Sequence, residues 1–140
     1  MSSLVLDASM ALAWCFEDEL DEQADFVLQK VAREGAAVPS LWFTETANGL
    51  LFGKRRGRLG EADVERLATL FLNLALTVDD SQAERIFKAV LSVAQRFGLT
   101  AYDATYLELA MRTGLPLATK DDALAAAAEA CGVVLVRPVG

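Results

Sequence analysis

Short β-prone runs alternate with longer segments of helical periodicity along this chain, and that alternation limits its fold more than any other feature. The predicted strands cover residues 4–6, 37–39, 77–78, 115–119 and 133–136. Strands that alternate with helices form parallel sheets with helices packed against them. No linker, repeat or low-complexity segment divides the 140 residues, so the sequence predicts one parallel, layered α/β domain over residues 1–140.

The helical segments are predicted from apolar residues at a spacing of about 3.6 and from the residues that flank them. They cover approximately residues 9–16, 21–34, 41–54, 61–76, 81–97, 103–112 and 121–131. Ser9 and Ser81 are expected to cap the first and the fifth of these helices, because serine is favoured at that position.

Four acids stand where a predicted strand passes into a helix: Asp7, Glu45, Asp103 and Asp121. Open α/β sheets bind ligands outside the carboxyl ends of their strands, so these distant acids are expected to meet at one edge. Two like charges about 4 Å apart repel by roughly 4 kcal/mol at an effective dielectric near 20. Such a cluster must take up protons or hold a cation, and oxygen ligands favour Mg²⁺ or Mn²⁺.

Helix capping is the alternative explanation for Asp7, Asp103 and Asp121, since acids near helix starts stabilise the first turn. Glu45 does not fit that explanation, because it lies inside an apolar helical stretch. It either needs a partner or a cation, or reaches solvent at the helix edge. Asn48, one turn further on, could orient its carboxylate.

Composition excludes several kinds of site. The chain has no histidine, which removes Ser-His-Asp and Cys-His catalysis and His-based zinc sites. Its net charge of −7 argues against a nucleic-acid partner, but one compact segment is basic and is a candidate phosphate-binding element. That segment contains Lys54, Arg55, Arg56 and Arg58.

The chain has no apolar run long enough to span a membrane and no signal-peptide pattern at its start, so a cytoplasmic location is expected.

Four short motifs resemble, in order, the successive motifs of PIN-domain nucleases, and in particular those of the VapC-type toxins of bacterial toxin–antitoxin pairs. They are Val5-Leu6-Asp7-Ala8-Ser9, Glu45-Thr46-Ala47-Asn48-Gly49-Leu50, Tyr102-Asp103-Ala104-Thr105-Tyr106-Leu107 and Leu117-Ala118-Thr119-Lys120-Asp121. Each motif alone is unspecific, whereas four in this order over nearly the whole chain indicate the family.

The resemblance implies a three-layer α/β/α sandwich around a short, mainly parallel sheet, and a metal-dependent endoribonuclease that cleaves RNA phosphodiesters by metal-activated water. In-line attack would leave 3′-hydroxyl and 5′-phosphate ends. The resemblance assigns catalysis and Mg²⁺ or Mn²⁺ binding to Asp7, Glu45, Asp103 and Asp121. The candidate supporting polar residues are Ser9, Asn48, Thr119 and Asp122, the last also an alternative fourth ligand.

The resemblance also implies partners: an RNA substrate, a small antitoxin protein whose tail enters the active groove, and a second copy of the chain in a homodimer. The protein would then be the toxin of a type II toxin–antitoxin pair.

Two other functional classes fit an α/β chain of this size. A receiver-type or phosphatase-like phosphoryl-transfer domain would need an acidic pair after the first strand, and Ser9 occupies the position where a phosphatase has its second acid. A non-catalytic partner-binding module would use the acids only as helix caps.

Overall fold

A computed structural model describes residues 2–138 and contains a four-stranded parallel sheet flanked by helices. The strands lie in the order β3-β2-β1-β4, and all neighbours run parallel. Their bounds are β1 Val5–Leu6, β2 Ala36–Pro39, β3 Leu76–Asp79 and β4 Leu117–Ala118. β1, β2 and β4 are wholly buried and apolar, as expected for strands covered on both faces.

Eight α-helical segments are present in the part of the chain that the structure describes. They are α1 Ala8–Ala13, α2 Glu22–Glu34, α3 Leu41–Arg55, α4 Glu61–Leu72, α5 Ala83–Arg85, α6 Leu91–Phe97, α7 Ala101–Thr113 and α8 Asp122–Ala130. A π-helical turn, Ile86–Val90, joins α5 to α6 into one continuous helical stretch. The predicted α/β architecture is confirmed.

Helix α7 lies in the middle of the molecule and contacts β1, β2 and β4. Seven consecutive residues of this helix, 104–110, are buried, so no face of its central turns is exposed to water. A helix buried on all sides is held by packing rather than by an amphipathic stripe. Its position places the first turn of α7, with Asp103, beside the carboxyl ends of the strands.

Several predicted boundaries were wrong. The last predicted strand, 133–136, is only a single bridge from Leu135 to Leu117, because Leu117 alone exchanges backbone hydrogen bonds with it, through Val134 and Val136. Asp7, not Ser9, caps α1, since the Asp7 side chain accepts the Met10 backbone N–H. Gln82, not Ser81, precedes the first turn of α5.

Glu108 is buried, although the charge of a helical glutamate ordinarily predicts a solvated face. Arg112, one turn along α7, donates to both of its carboxylate oxygens at 2.9 and 3.2 Å. Arg112 also donates to both oxygens of Asp79 at the end of β3, at 3.2 and 2.9 Å. The pairing with Arg112 explains how Glu108 is tolerated inside the protein.

Within residues 2–138, no helix combines the length and the apolar character needed to span a bilayer.

A carboxylate-lined cavity as the candidate active site

Asp7 follows β1 directly and is only 3% exposed. Its carboxylate accepts hydrogen bonds from the Ser9 hydroxyl at 2.8 and 2.9 Å, from the Met10 backbone N–H at 2.9 Å and from the Thr119 hydroxyl. Burial raises the pKa of Asp7 from its ordinary 3.8 to about 6, although these hydrogen bonds favour the charged form. The carboxylate is therefore held rigidly but at an electrostatic cost.

Glu45 lies in the second turn of α3 and is partly buried. The Tyr106 hydroxyl, from α7, donates to its Oε1 at 2.5 Å. Burial raises the pKa of Glu45, the Tyr106 hydrogen bond lowers it, and the charge of Asp103 raises it further. Glu45 does not simply reach solvent at the helix edge: it is bonded to a buried phenol that faces the other acids.

Asp103 and Asp121 complete the group. Asp103 is the third residue of α7, and its pKa is raised by burial and then by the charge of Asp121. Asp121 caps α8 by accepting the Leu124 backbone N–H at 2.8 Å. Capping and membership of the acid group are thus compatible roles, as they are for Asp7.

One cavity of about 200 Å³ is lined by all four acids, together with Ala8, Ser9, Leu12 and Tyr106. The expectation that these sequence-distant acids meet at one edge of the sheet agrees with this arrangement. The expectation that each acid follows a strand was wrong for two of them. Asp7 and Asp121 follow β1 and β4, but Glu45 and Asp103 project from the early turns of α3 and α7, and α7 is preceded by α6.

The oxygen donors suit a hard divalent cation in kind, since four carboxylates and no sulfur or imidazole line the cavity. Across residues 2–138, however, no group of three or more Asp, Glu or Cys side chains is arranged to hold a metal ion. Mg²⁺ commonly keeps several waters and binds through one or two carboxylates, so it does not require three protein ligands. The pKa values of Asp7, Glu45 and Asp103 are all raised, first by burial and then by the charge of a neighbouring acid.

The supporting residues predicted from the sequence divide into two pairs. Ser9 and Thr119 hold Asp7, and the Ser9 hydroxyl also accepts the Lys120 backbone N–H at 2.9 Å. Asn48 is exposed and, among the described contacts, forms no hydrogen bond to Glu45. Asp122 is exposed and lines a separate cleft of about 630 Å³, whereas its neighbour Asp121 lines both the cleft and the acid cavity.

A tyrosine in such a helix is usually a core or rim aromatic residue, with stacking on a nucleobase as the less common alternative, yet the Tyr106 hydroxyl is bonded to Glu45. The sequence indicates in part that Tyr106 belongs to the site, because it stands three residues after Asp103 and so shares its helix face. What the spacing could not show is that α3 presents a carboxylate to that face.

The four cations of the basic segment make different contacts. Lys54 lies 3.5 Å from Glu61, and Arg58 is paired with Asp18 and Glu19. Arg56 and Arg58, but not Lys54 or Arg55, line a groove of about 320 Å³ that also includes Glu45. The predicted basic element therefore reaches the acid site through two of its four cations.

Comparison with known proteins gives consistent matches over nearly the whole chain. Residues 4–130 match the family described as PIN domain. The chain is 34% identical over 134 residues to VapC ribonuclease Mb0985 of Mycobacterium bovis, covering 95% of this chain and 98% of that protein. It is 31% identical over 122 residues to ribonuclease VapC3 of Pyrobaculum aerophilum, covering 87% of this chain and 92% of that one.

Solved structures of two other proteins are similar to this chain in fold. The crystal structure of PAE2754 from Pyrobaculum aerophilum superposes with a TM-score of 0.73 at 30% identity, covering 96% of this chain and 84% of that one. That of VapC20 from Mycobacterium tuberculosis, a sarcin–ricin loop cleaving toxin, gives 0.68 at 19% identity, covering 97% and 100%. At that identity, the second comparison speaks for the fold alone.

Proposed function

This chain belongs to the PIN-domain family as a VapC-type ribonuclease, and from that premise we propose that it is an endoribonuclease dependent on Mg²⁺ or Mn²⁺. The observation that carries the proposal is the single cavity lined by Asp7, Glu45, Asp103 and Asp121. These acids come from four different elements, and only the folded chain brings them together. Family membership also removes the receiver-type and phosphatase-like alternatives.

The four acids are proposed to hold the cation, with Asp7 and Asp103 as the principal ligands. A divalent ion bound there would polarise the scissile phosphate and lower the pKa of an attacking water. With no histidine in the chain, proton transfer and ion binding both fall to carboxylates and hydroxyls.

The residues around the acids fix their positions before substrate arrives. Ser9 and Thr119 both donate to the Asp7 carboxylate, and Tyr106 donates to that of Glu45. Side chains that are already oriented need not be ordered during the reaction, which lowers its barrier. Glu45 accepts one of these hydrogen bonds and keeps lone pairs free for an ion or a water, whereas Asp7 already accepts three donors, the two hydroxyls and the Met10 N–H.

The proposed biological role is that of the toxin of a type II toxin–antitoxin pair. In that role the protein acts on RNA, is inhibited by a small antitoxin protein and forms a homodimer. The antitoxin and the homodimer are predictions from the family resemblance, and the cytoplasmic location is a prediction from the lack of a membrane-spanning run and a signal-peptide pattern in the sequence.

An assay with mixed RNAs tests the proposal. We expect cleavage in Mg²⁺ or Mn²⁺, none in excess EDTA, and recovery when Mn²⁺ is restored. Asp7→Asn and Asp103→Asn should each abolish cleavage while remaining folded, and should relieve growth arrest on expression. A folded wild-type protein that cleaves no RNA with either ion would favour the non-catalytic partner-binding module instead.

A further inference from the structure

We propose that the groove beside the acid cavity binds an unpaired nucleotide of the substrate RNA, with its base stacked on Phe52 and a neighbouring phosphate on Arg56. This inference rests on the proposed ribonuclease function and names a binding subsite for it. Phe52 had no predicted role, and Arg56 was one of four undifferentiated cations.

The groove and the acid cavity are continuous, because Leu12 and Glu45 line both of them. Along α3, the residues that line the groove include Glu45, Phe52 and Arg56. Two helical turns separate Glu45 from Phe52, which is about 10 Å along the axis. An RNA chain with one phosphate among the acids could therefore reach Phe52 with a nearby nucleotide.

Two glycines shape this groove by letting α1 and the chain after it lie close against α3. A Cβ on Gly49 would meet the Leu12 side chain at 2.4 to 3.0 Å, and one on Gly53 would meet the Phe16 ring at 2.9 Å. Any larger residue would push these side chains outward. The shallow depression beside Phe52 thus depends on the absence of side chains at both positions.

Phe52 is 51% exposed, with the guanidinium of Arg56 lying 4.6 Å from its ring centroid. Proteins stack unpaired bases on exposed aromatic rings, and a neighbouring arginine adds a cation–π contribution. A base held in a duplex is already stacked on its neighbours, so this platform selects single-stranded or looped RNA.

Arg56 also differs from Arg58, the other cation that lines the groove, because its charge is available to bind a phosphate. Arg58 is paired with acids, and no ion pair among residues 2–138 engages Arg56. Its charge is therefore free for a phosphate. This contrast explains how a chain with a net charge of −7 can still present one usable cation beside the catalytic acids.

RNA binding in EDTA separates this subsite from catalysis, since no cleavage is expected there. The probe is a mixed-sequence, unstructured oligoribonucleotide, measured by fluorescence anisotropy. Phe52→Ala and Phe52→Leu should weaken binding about tenfold, within the range of base–aromatic stacking, whereas Phe52→Trp should retain it. Arg56→Ala should weaken binding and reduce the slope of log Kd against log salt concentration by about 0.7.

Two exposed residues outside the groove serve as matched controls. Phe87 is 73% exposed on the π-helical turn, and Arg96 on α6 lies over the Phe97 ring at 5.0 Å. Phe87→Ala and Arg96→Ala should leave both the affinity and the salt slope unchanged. Thermal unfolding of all the variants checks that each is folded.

Three outcomes overturn the inference. Unchanged affinity in Phe52→Ala excludes the stack, and full affinity in Phe52→Leu shows an apolar contact without stacking. Loss of antitoxin binding in Phe52→Ala with RNA binding intact would assign the groove to a protein partner. These outcomes are interpreted only if the wild-type protein binds and cleaves RNA. Failure of the proposed ribonuclease function would therefore appear in the wild type, before any variant is compared.

Discussion

Tyr106 donates its phenolic hydrogen bond to Oε1 of Glu45 at 2.5 Å and thereby joins α7 to α3 at the acid cavity. The ring is buried in the core, so the hydroxyl is positioned by packing rather than by the cavity itself. Burial, and then the neighbouring Glu45 and Asp7 carboxylates, raise the pKa of Tyr106, which keeps the phenol protonated and able to donate. The bond fixes the direction in which Glu45 faces the other acids.

Tyr106→Phe removes only this hydroxyl. Glu45 is partly exposed and can bond water instead, so we expect a loss of about 1 kcal/mol in the free energy of unfolding. We expect kcat for RNA cleavage to fall about tenfold with KM little changed, a barrier increase of about 1.4 kcal/mol. Tyr102→Phe is the matched control, because Tyr102 is 64% exposed and does not line the cavity. Equal kcat values in both variants would remove Tyr106 from the positioning of Glu45.

Asp7→Asn is expected to stabilise the metal-free protein at neutral pH. The pKa of Asp7 is about 6 in the folded protein and near its ordinary 3.8 when unfolded. Between those values the folded state binds a proton that the unfolded state has released, so stability falls as pH rises from about 4 to 6. The full difference is on the order of 3 kcal/mol above that range.

Denaturant unfolding in EDTA at several pH values measures this effect. The asparagine variant should be more stable than wild type at pH 7, by about 1 to 3 kcal/mol, and equal to it below about pH 4. A variant that is less stable at pH 7, or whose advantage does not change with pH, would contradict the assignment of burial as the cause.

The sequence predicted the local position of Asp7 and Asp121, after a strand, correctly, and that of Glu45 and Asp103 wrongly. The reason is geometric. A residue directly after a buried parallel strand lies at the carboxyl edge of the sheet whatever the helices do. Glu45 and Asp103 reach that edge because α3 and α7 pack with particular faces toward it. Both acids line the cavity, but neither follows a strand directly as the sequence pattern had predicted.

Glu108 illustrates what helical spacing could not predict. Its charge predicts a solvated face of α7, yet the central turns of the helix are buried on all sides and Arg112 neutralises the carboxylate inside the protein. The single bridge at Leu135 shows the same limit, since an apolar run becomes a strand only if a neighbouring edge accepts it over several residues.

Thr119→Val tests the hydroxyl that connects two of the acids. Thr119 donates to Asp7 and accepts the Asp121 backbone N–H at 3.0 Å, so valine removes one of the three donors to Asp7 and takes this acceptor from the Asp121 N–H. We expect the free energy of unfolding to fall by about 2 kcal/mol and kcat to fall with it. Thr119→Ser keeps the hydroxyl and should restore kcat; failure of serine to do so would attribute the effect to packing of the methyl group.

Arg112→Met tests a stabilising interaction outside the cavity. Without the guanidinium, Glu108 is left buried and unpaired, and Asp79 loses a two-point contact. We expect a loss of about 2 to 3 kcal/mol in the free energy of unfolding, with kcat and KM for RNA unchanged. Arg33→Met, at an exposed position on α2, should change stability by less than about 0.5 kcal/mol. A fall in kcat at temperatures where Arg112→Met is folded would connect this pair to catalysis.

Calorimetric titration of Mn²⁺ into the metal-free protein tests most directly that the four acids form one cation site. The wild type should bind Mn²⁺, Asp103→Asn and Asp121→Asn should lose most of that affinity, and Asp122→Asn should keep it because Asp122 lies outside the cavity. A wild-type protein that binds no Mn²⁺, or one whose binding survives both cavity substitutions, would contradict the account.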